Sequence, residues 1–282
     1  MSRLVLLTGA TGFVGRHVLR SLVKRGIRAR LVVREGNVDK VDTLFGVESV
    51  IVTADLFSES LEWWVKVCSG VDSIIHVAWV TEPGKYLYSN VNLDCLAGTL
   101  QMAKAAVMMG VRRFIGIGTC FEYDLNQGRL SVSTALRPTT VYAGAKAAAF
   151  ISLQHWLPNQ GVEFAWCRLF YLYGEGEDAR RLVPYLHNKL QAGEPVDLTN
   201  GTQIRDFLDV RIAGIEIVDI ALGVQQGAIN ICSGIPITVR QLAEQIASKY
   251  GRLDLLRFGA RHDNSLDPPC VVGIRTNATV LH

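Results

Sequence analysis

The stretch Thr139–Lys146, TTVYAGAK, sets a tyrosine and a lysine four residues apart. In a helix, four residues overshoot one full turn by only about 40°, so Tyr142 and Lys146 share a face. Such a pair can be ordinary helix-surface chemistry. It can also be an acid–base pair, because a nearby ammonium favours the phenolate of a tyrosine whose free pKa is ~10. The choice depends on what the fold sets opposite the pair.

A second chemical signal is TGATGFVG, Thr8–Gly15, between an apolar run and a helical stretch. Gly9 permits a tight turn, Gly12 lets the backbone approach a pyrophosphate, and Gly15 allows close helix packing. The helix N-terminus then turns its unpaired amides toward phosphates. With Thr11, Phe13 and Val14, these glycines form the expected cofactor loop; the strand–turn–helix context favours that reading over a structural turn. The second strand, ARLVVR, ends in Arg34, after Arg28 and Arg30. NAD binders usually place an acidic residue there, whereas a guanidinium pairs with a 2′-phosphate and stacks on adenine. The expected cofactor is therefore NADPH/NADP rather than NAD; a solvated surface charge is the plain alternative. Asp55, beside Leu56, either holds the adenine amine or caps the next helix.

These residues need a scaffold that brings loop and helix together. Apolar runs at LVLLTG, ARLVVR, SVIVTAD, SIIHVAW, RFIGIGT and EFAWCRLFYLYG alternate with helical stretches near Gly12–Lys24, Thr99–Met109 and Thr140–Trp156. Strands that are apolar throughout and alternate with helices imply a parallel sheet covered on both faces. The expected fold is α/β: a doubly wound Rossmann sheet over residues 1–174. Residues 175–282 form a small α/β substrate lobe with return segments to the core. In that lobe Thr238 and Gln241 spell a capping box, and Gly251 a stop.

Composition narrows the partners. The net charge of +3 is spread along the chain, which argues against nucleic acid but suits an anionic small molecule. No apolar run nears the ~20 residues needed to cross a bilayer, and the N-terminus reads as a strand rather than a signal peptide. Six cysteines without C-x-x-C or neighbouring histidine pairs imply reduced thiols in a cytoplasmic protein, with no metal site and no disulfide framework. The sequons at Asn200 and Asn277 then carry little weight.

Taken in order, TGATGFVG, HVA (His76–Ala78), YAGAK, RLFYLYG, RDF (Arg205–Phe207) and ICSG resemble the extended short-chain dehydrogenase/reductase family over nearly the whole chain. Members act mainly on nucleotide sugars as epimerases, dehydratases and reductases. The resemblance implies that Tyr142 exchanges a proton with a sugar oxygen. Lys146 supports the phenolate and bonds the nicotinamide ribose, and Thr119 bonds the reacting oxygen. It also implies cofactor contacts at Asp55, Leu56, Val77 and Ala78, a nucleotide-diphosphate sugar substrate and a homodimer. His76 reads as a packing or backbone-bonding residue.

The stretch GTCFEYD selects among reactions. Dehydratases of the family carry Asp and Glu directly after the Thr; here Cys120 and Phe121 stand there, and Glu122 comes one position late, on the other face if the strand continues. Cys120 is chemically able to epimerise a carbon beside a ketone, but a buried structural thiol is the preferred reading. What remains is reduction of a keto-sugar, or 4-epimerisation through a transient ketone with NAD. Arg34 favours reduction, and VVR, IRDF and FGARHDN resemble the 4-keto-6-deoxyhexose reductase branch that includes CDP-abequose synthase. The expected function is NADPH-dependent reduction of a nucleotide-diphosphate-linked 4-keto-6-deoxyhexose for deoxysugar biosynthesis. A non-catalytic NAD(P)-binding regulator is the alternative of another class. Substrate contacts are expected at Cys120, Phe121 and Tyr171, with Arg205 and Arg261 on the diphosphate. Three departures from relatives stand out: Tyr171 and Cys95 occupy positions that often hold Asn, and the chain stops at His282, where relatives usually continue into a helix.

Overall fold

A computed structural model of the protein describes residues 3–41, 45–262 and 267–275. The Asn277 sequon and the Asp263–Asn264 end of FGARHDN lie outside them. Seven strands form one parallel sheet: β1 (Leu4–Thr8), β2 (Arg28–Arg34), β3 (Val47–Thr53), β4 (Ser73–His76), β5 (Arg113–Thr119), β7 (Glu163–Leu169) and β12 (Gly227–Ile231). Their order is β12-β7-β5-β4-β1-β2-β3. β1 and β5 are buried at every position, as expected for strands covered on both faces. This is the doubly wound α/β architecture implied by the apolar alternation.

One core layer packs β1 and the buried faces of α1 (Phe13–Lys24) and α6 (Val210–Leu222). The other packs α2 (Leu61–Cys68), α3 (Val91–Met108) and α4 (Val141–Trp156) on the opposite face. The strand order reverses between β1 and β4, which opens a crevice at their carboxyl ends, where ligands of such sheets sit.

The second half is more regular than its sequence suggests. VRIAGIEIVDIAL is rich in β-branched residues, yet it forms α6. Asp209 caps it by accepting from Arg211 N, and Gly214 admits the backbone of His17 from α1. Burial of that face overrides the local preference. EFAWCRLFYLYG is not one strand. It leaves the sheet at Phe170, and β8 (Tyr171–Tyr173) pairs instead with β11 (Phe207–Asp209). AINIC supplies β12, which returns to the main sheet beside β7.

Short strands complete the far end. β6 (Arg129–Leu130), β10 (Ile204–Arg205), β13 (Ile237–Thr238) and β15 (Cys270–Gly273) form a small mixed sheet. β9 (Val196–Leu198) and β14 (Leu256–Phe258) pair beside α5 (Leu182–Gln191) and α7 (Val239–Lys249), which share a separate apolar core. The Thr238–Gln241 capping box is formed at the start of α7. Among the described residues, no helix is long and apolar enough to cross a membrane, and no cluster of His, Cys, Asp or Glu could hold a metal ion.

Candidate active site

A cleft of about 820 Å³ runs along the carboxyl ends of the central strands. It is lined by Gly9 and the residues Thr11 to Gly15 from the glycine loop, and by Arg34 and Leu56. Val77, Ala78, Thr119, Tyr142 and Lys146 line it too, so the glycine loop and the Tyr–Lys pair, distant in sequence, share one cavity.

The loop fits a dinucleotide. Gly9 has φ +75°, and a Cβ there would come within 2.7 Å of Ala78 N, so the turn after β1 passes against the segment after β4 only because this residue has no side chain. Gly12 is the N-cap of α1, no side chain caps the helix, and its first turn carries no acidic residue. The amides at that end are thus suited to phosphate, with no carboxylate to repel it. Behind the loop, His76 bonds Thr8 Oγ1 at 2.8 Å and Thr99 Oγ1 at 2.9 Å, and Thr8 Oγ1 accepts from Ala78 N. Burial pushes His76 down to about 3, with the Lys146 charge adding to the effect. It is a neutral clamp between β1, β4 and α3, bonding side chains rather than backbone.

The arginines of β2 divide. Arg30 pairs with Glu48 and donates to the carbonyl oxygens of Val67 and Ser69, so it braces the sheet edge. Arg34 lines the cleft. Asp55 does not line it; its carboxylate accepts from Phe57 N and Ser58 Oγ and so stabilises its own turn.

Tyr142 and Lys146 are buried on α4, whose start is capped by Thr140 accepting from Ala143 N. Lys146 Nζ donates to Ile117 O at 2.6 Å and lies 3.7 Å from the centroid of the Trp79 ring. Trp79 and Tyr86 also meet the Tyr142 ring edge-on, at centroid distances of 6.5 and 4.8 Å. The indole of Trp79 donates to Asn92 Oδ1 at 2.8 Å, and the Asn92 amide donates to Tyr86 O and Ser89 O. Sequence reasoning missed this support. Its available signals were an aromatic residue directly after HVA and an amide in the first turn of the next helix.

Electrostatics in the cleft run opposite to the expected lowering of Tyr142. Burial is the largest influence and pushes the phenol up; neighbouring Tyr86 adds to this, and a hydrogen bond with Thr119 opposes it. Burial likewise pushes Lys146 down to about 7, against the attraction of Glu122. A closed protein interior disfavours both charged forms.

β5 ends at Thr119, and the chain turns at once into a short 3₁₀ segment, Cys120–Glu122, capped by Thr119. That turn brings Glu122 inward rather than continuing the strand. Its carboxylate accepts from Thr119 N, Trp166 Nε1 and Arg168 Nε. Cys120 lines the cleft wall, but burial pushes its thiol well up. Phe121 and Tyr171 meet edge-on in the same wall, and burial also raises the Tyr171 phenol.

Arg205 lines the cleft with its guanidinium 5.3 Å from the Tyr171 ring, already paired with Asp267 at 2.7 Å. Arg261 is not among the lining residues; its guanidinium lies over Tyr185 in the small lobe. Arg181, at the start of α5, lines the cleft in its place and was not anticipated.

Residues 5–222 match the profile of the NAD dependent epimerase/dehydratase family. A dTDP-6-deoxy-L-talose 4-dehydrogenase (NAD(+)) from Aggregatibacter actinomycetemcomitans is 22% identical over 96% of this chain and 99% of its own length. A CDP-abequose synthase from Salmonella muenchen is 22% identical over 92% of this chain and 85% of its own. Among solved structures, a UDP-N-acetylglucosamine 4-epimerase from Methanobrevibacter ruminantium superposes with a TM-score of 0.85, at 18% identity, covering 98% of this chain and 90% of that one. A dTDP-glucose 4,6-dehydratase from Streptomyces venezuelae, solved with NAD, gives 0.82 at 20% identity, covering 96% and 88%. The match begins in β1 and runs to the last residue of α6, taking in the glycine loop, Thr119 and the Tyr–Lys helix. On that span, the chain belongs to the NAD-dependent epimerase/dehydratase family of enzymes, which work with a nicotinamide cofactor.

Proposed function

We propose that this enzyme reduces a nucleotide-diphosphate-linked 4-keto-6-deoxyhexose with NADPH. The observation that carries the reading is the composition of the catalytic wall. Thr119, Tyr142 and Lys146 meet in one cleft, while Glu122, the acidic residue closest after Thr119, is wholly engaged behind it. Removing water across a sugar C–C bond needs a carboxylate there; reducing a ketone does not. The walls beside Tyr142 are aromatic, from Trp79, Tyr86, Phe121 and Tyr171, which suits a sugar whose C6 is a methyl group.

The glycine loop and the α1 N-terminus would hold the pyrophosphate of a nicotinamide cofactor, which when bound in its reduced form would supply the hydride. Tyr142 donates its phenolic proton to the C4 oxygen, and Thr119 donates a hydrogen bond that orients the same oxygen. The buried phenol is held in its protonated form, ready to donate. Lys146, lowered toward neutrality, exchanges protons near physiological pH and restores the phenol after each turnover. Arg181 and Arg205 line the same cleft and meet the diphosphate. The name of the talose relative describes oxidation at position 4 of a dTDP-linked 6-deoxyhexose, the reverse of this reaction. Without any such turnover, a mere cofactor-binding regulator would have no use for Thr119, Tyr142 and Lys146 together. We further propose, from the family resemblance alone, that it acts in the cytoplasm as a dimer.

The competing reading is a 4-epimerase that keeps NAD bound, favoured by the solved 4-epimerase with the same fold. Isotope transfer separates the two. Deuterium from 4-labelled NADPH is expected at C4 of a single product stereoisomer, with one NADPH consumed per sugar. Inversion of a 4-hydroxyl sugar with no net consumption of cofactor would establish the epimerase instead.

Cofactor choice is tested at the end of β2. Arg34→Asp removes the 2′-phosphate partner and adds repulsion, at a cost of roughly 1.5–3 kcal/mol for NADPH binding. Titration of wild type and variant with NADPH and NADH is expected to show the preference moving toward NADH. Tighter NADH binding by the wild type would overturn the NADP assignment.

A further inference from the structure

Glu122 is wholly buried, and so is its ion-pair partner Arg168, at 2.7 Å. A buried ion pair often stabilises a fold no more than an apolar pair of the same volume, so stability does not account for it. Its surroundings do. Glu122 Oε1 accepts from Thr119 N at 2.8 Å and fixes the end of β5. The Trp166 indole donates to both carboxylate oxygens, at 3.0 and 3.2 Å, and the same indole lies 5.8 Å from Lys146 Nζ. Gly118 makes room for this: a Cβ there would overlap both Trp166 Nε1 and Glu122 Oε1. Arg168 is held in turn by Tyr123 Oη at 2.9 Å, and Tyr123 by Asn230 at 2.7 Å. The donors to the carboxylate are N–H groups of Thr119, Trp166 and Arg168, which is what an ionised carboxylate accepts.

We propose that Glu122 is a positioning residue for the reaction, which tethers Thr119 from behind and sets a fixed negative charge on the protein side of Lys146. This rests on the reading of Thr119, Tyr142 and Lys146 as the catalytic set. Lys146 interacts electrostatically with Glu122, with Cys95 from α3 and with His76 from β4, and Tyr142 lies one turn away on its own helix. Burial keeps the Cys95 thiol protonated, pushed up to about 11, and His76 neutral. Among these groups, Glu122 is therefore the one whose charge favours a proton on Lys146. Glu122, drawn back from the cleft, thus acts through two other residues, Thr119 and Lys146.

The test uses the full chain, labelled with ¹⁵N-lysine, with the Lys146 signal identified by its loss in Lys146→Met. In Glu122→Gln the Lys146 titration midpoint is expected to fall by about one pH unit, a tenfold loss of proton affinity. Turnover of the keto-sugar should fall ~10–100-fold at little changed KM, within the range for a misplaced catalytic group. Glu122→Asp keeps the charge but shortens the tether, so the midpoint should stay at its wild-type value while turnover falls. A wild-type midpoint or wild-type turnover in Glu122→Gln overturns the proposal, even where the melting temperature drops, because a merely structural residue would move only the latter. If wild type itself reduces no keto-sugar, the functional reading fails separately, and the Lys146 midpoint alone decides the role of Glu122. If Glu122→Gln does not fold, Glu122→Asp decides: lowered turnover at an unchanged midpoint supports the tether, and wild-type turnover overturns it.

Discussion

Replacing Tyr142 by phenylalanine is expected to cut turnover by ~10²–10⁴-fold, the usual loss for a positioned acid, while NADPH affinity stays nearly unchanged. The ring remains packed between Trp79 and Tyr86, so only the phenolic oxygen is lost. Burial favours the protonated phenol, as the proposed role of proton donor to the reacting oxygen requires. Steady-state rates together with fluorescence titration of NADPH check both halves. Near wild-type turnover would remove Tyr142 from the mechanism; a large loss of NADPH affinity would mean that its role is binding.

Lys146→Met is expected to abolish turnover and yet stabilise the cofactor-free protein. An unfolded lysine titrates near 10.5, whereas the buried Lys146 is pushed down to about 7. Between those two values the unfolded chain binds a proton that the folded chain does not, so wild-type stability rises with pH across this window. The slope is about 1.4 kcal/mol per pH unit, several kcal/mol in all. Below pH ~7 the full penalty acts, and above pH ~10.5 it is gone. Methionine has no proton to lose. Calorimetry should therefore show the variant melting above wild type at pH 6, with the gap closing as pH approaches 10. An equal or lower melting temperature at pH 6 would show that burying this ammonium costs the fold nothing. The outcome expected is the usual exchange of stability for a strained functional group.

The same two residues show how far sequence reasoning reaches. Their four-residue spacing on a capped helix was enough to put Tyr142 and Lys146 on one face, and α4 runs Val141–Trp156 as that spacing requires. Their protonation was not legible, because it depends on what closes over them. Spacing predicts a charge–charge pair, whereas the fold surrounds both with Trp79, Tyr86 and the interior of the sheet, where burial outweighs attraction. In the same way RFIGIGT gave β5 to the residue, while EFAWCRLFYLYG concealed a break at Phe170. Nothing local marks that break, since it arises from the separate pairing of Tyr171–Tyr173 with a distant strand. α6 is the converse case: its composition is rich in β-branched residues, and packing against α1 makes it a helix.

By itself, then, the sequence determined what is local. It set the parallel α/β alternation, the glycine turn leading into a helix, the capped helix carrying Tyr142 and Lys146, and Thr119 as the last residue of β5. Each follows from periodicity, turn chemistry or capping within a few residues. Only the tertiary structure decided which charged side chains face the cleft. Arg34 and Arg181 line it, Arg261 lies over Tyr185, Asp55 holds its own turn, and Glu122 is drawn back to Arg168. A charged side chain goes where its partners are, and those partners come from strands and helices tens of residues away. Glu122 turns inward because Arg168 and Trp166 of β7 wait behind Gly118, a meeting fixed by the β5–β7 register rather than by anything written near Glu122.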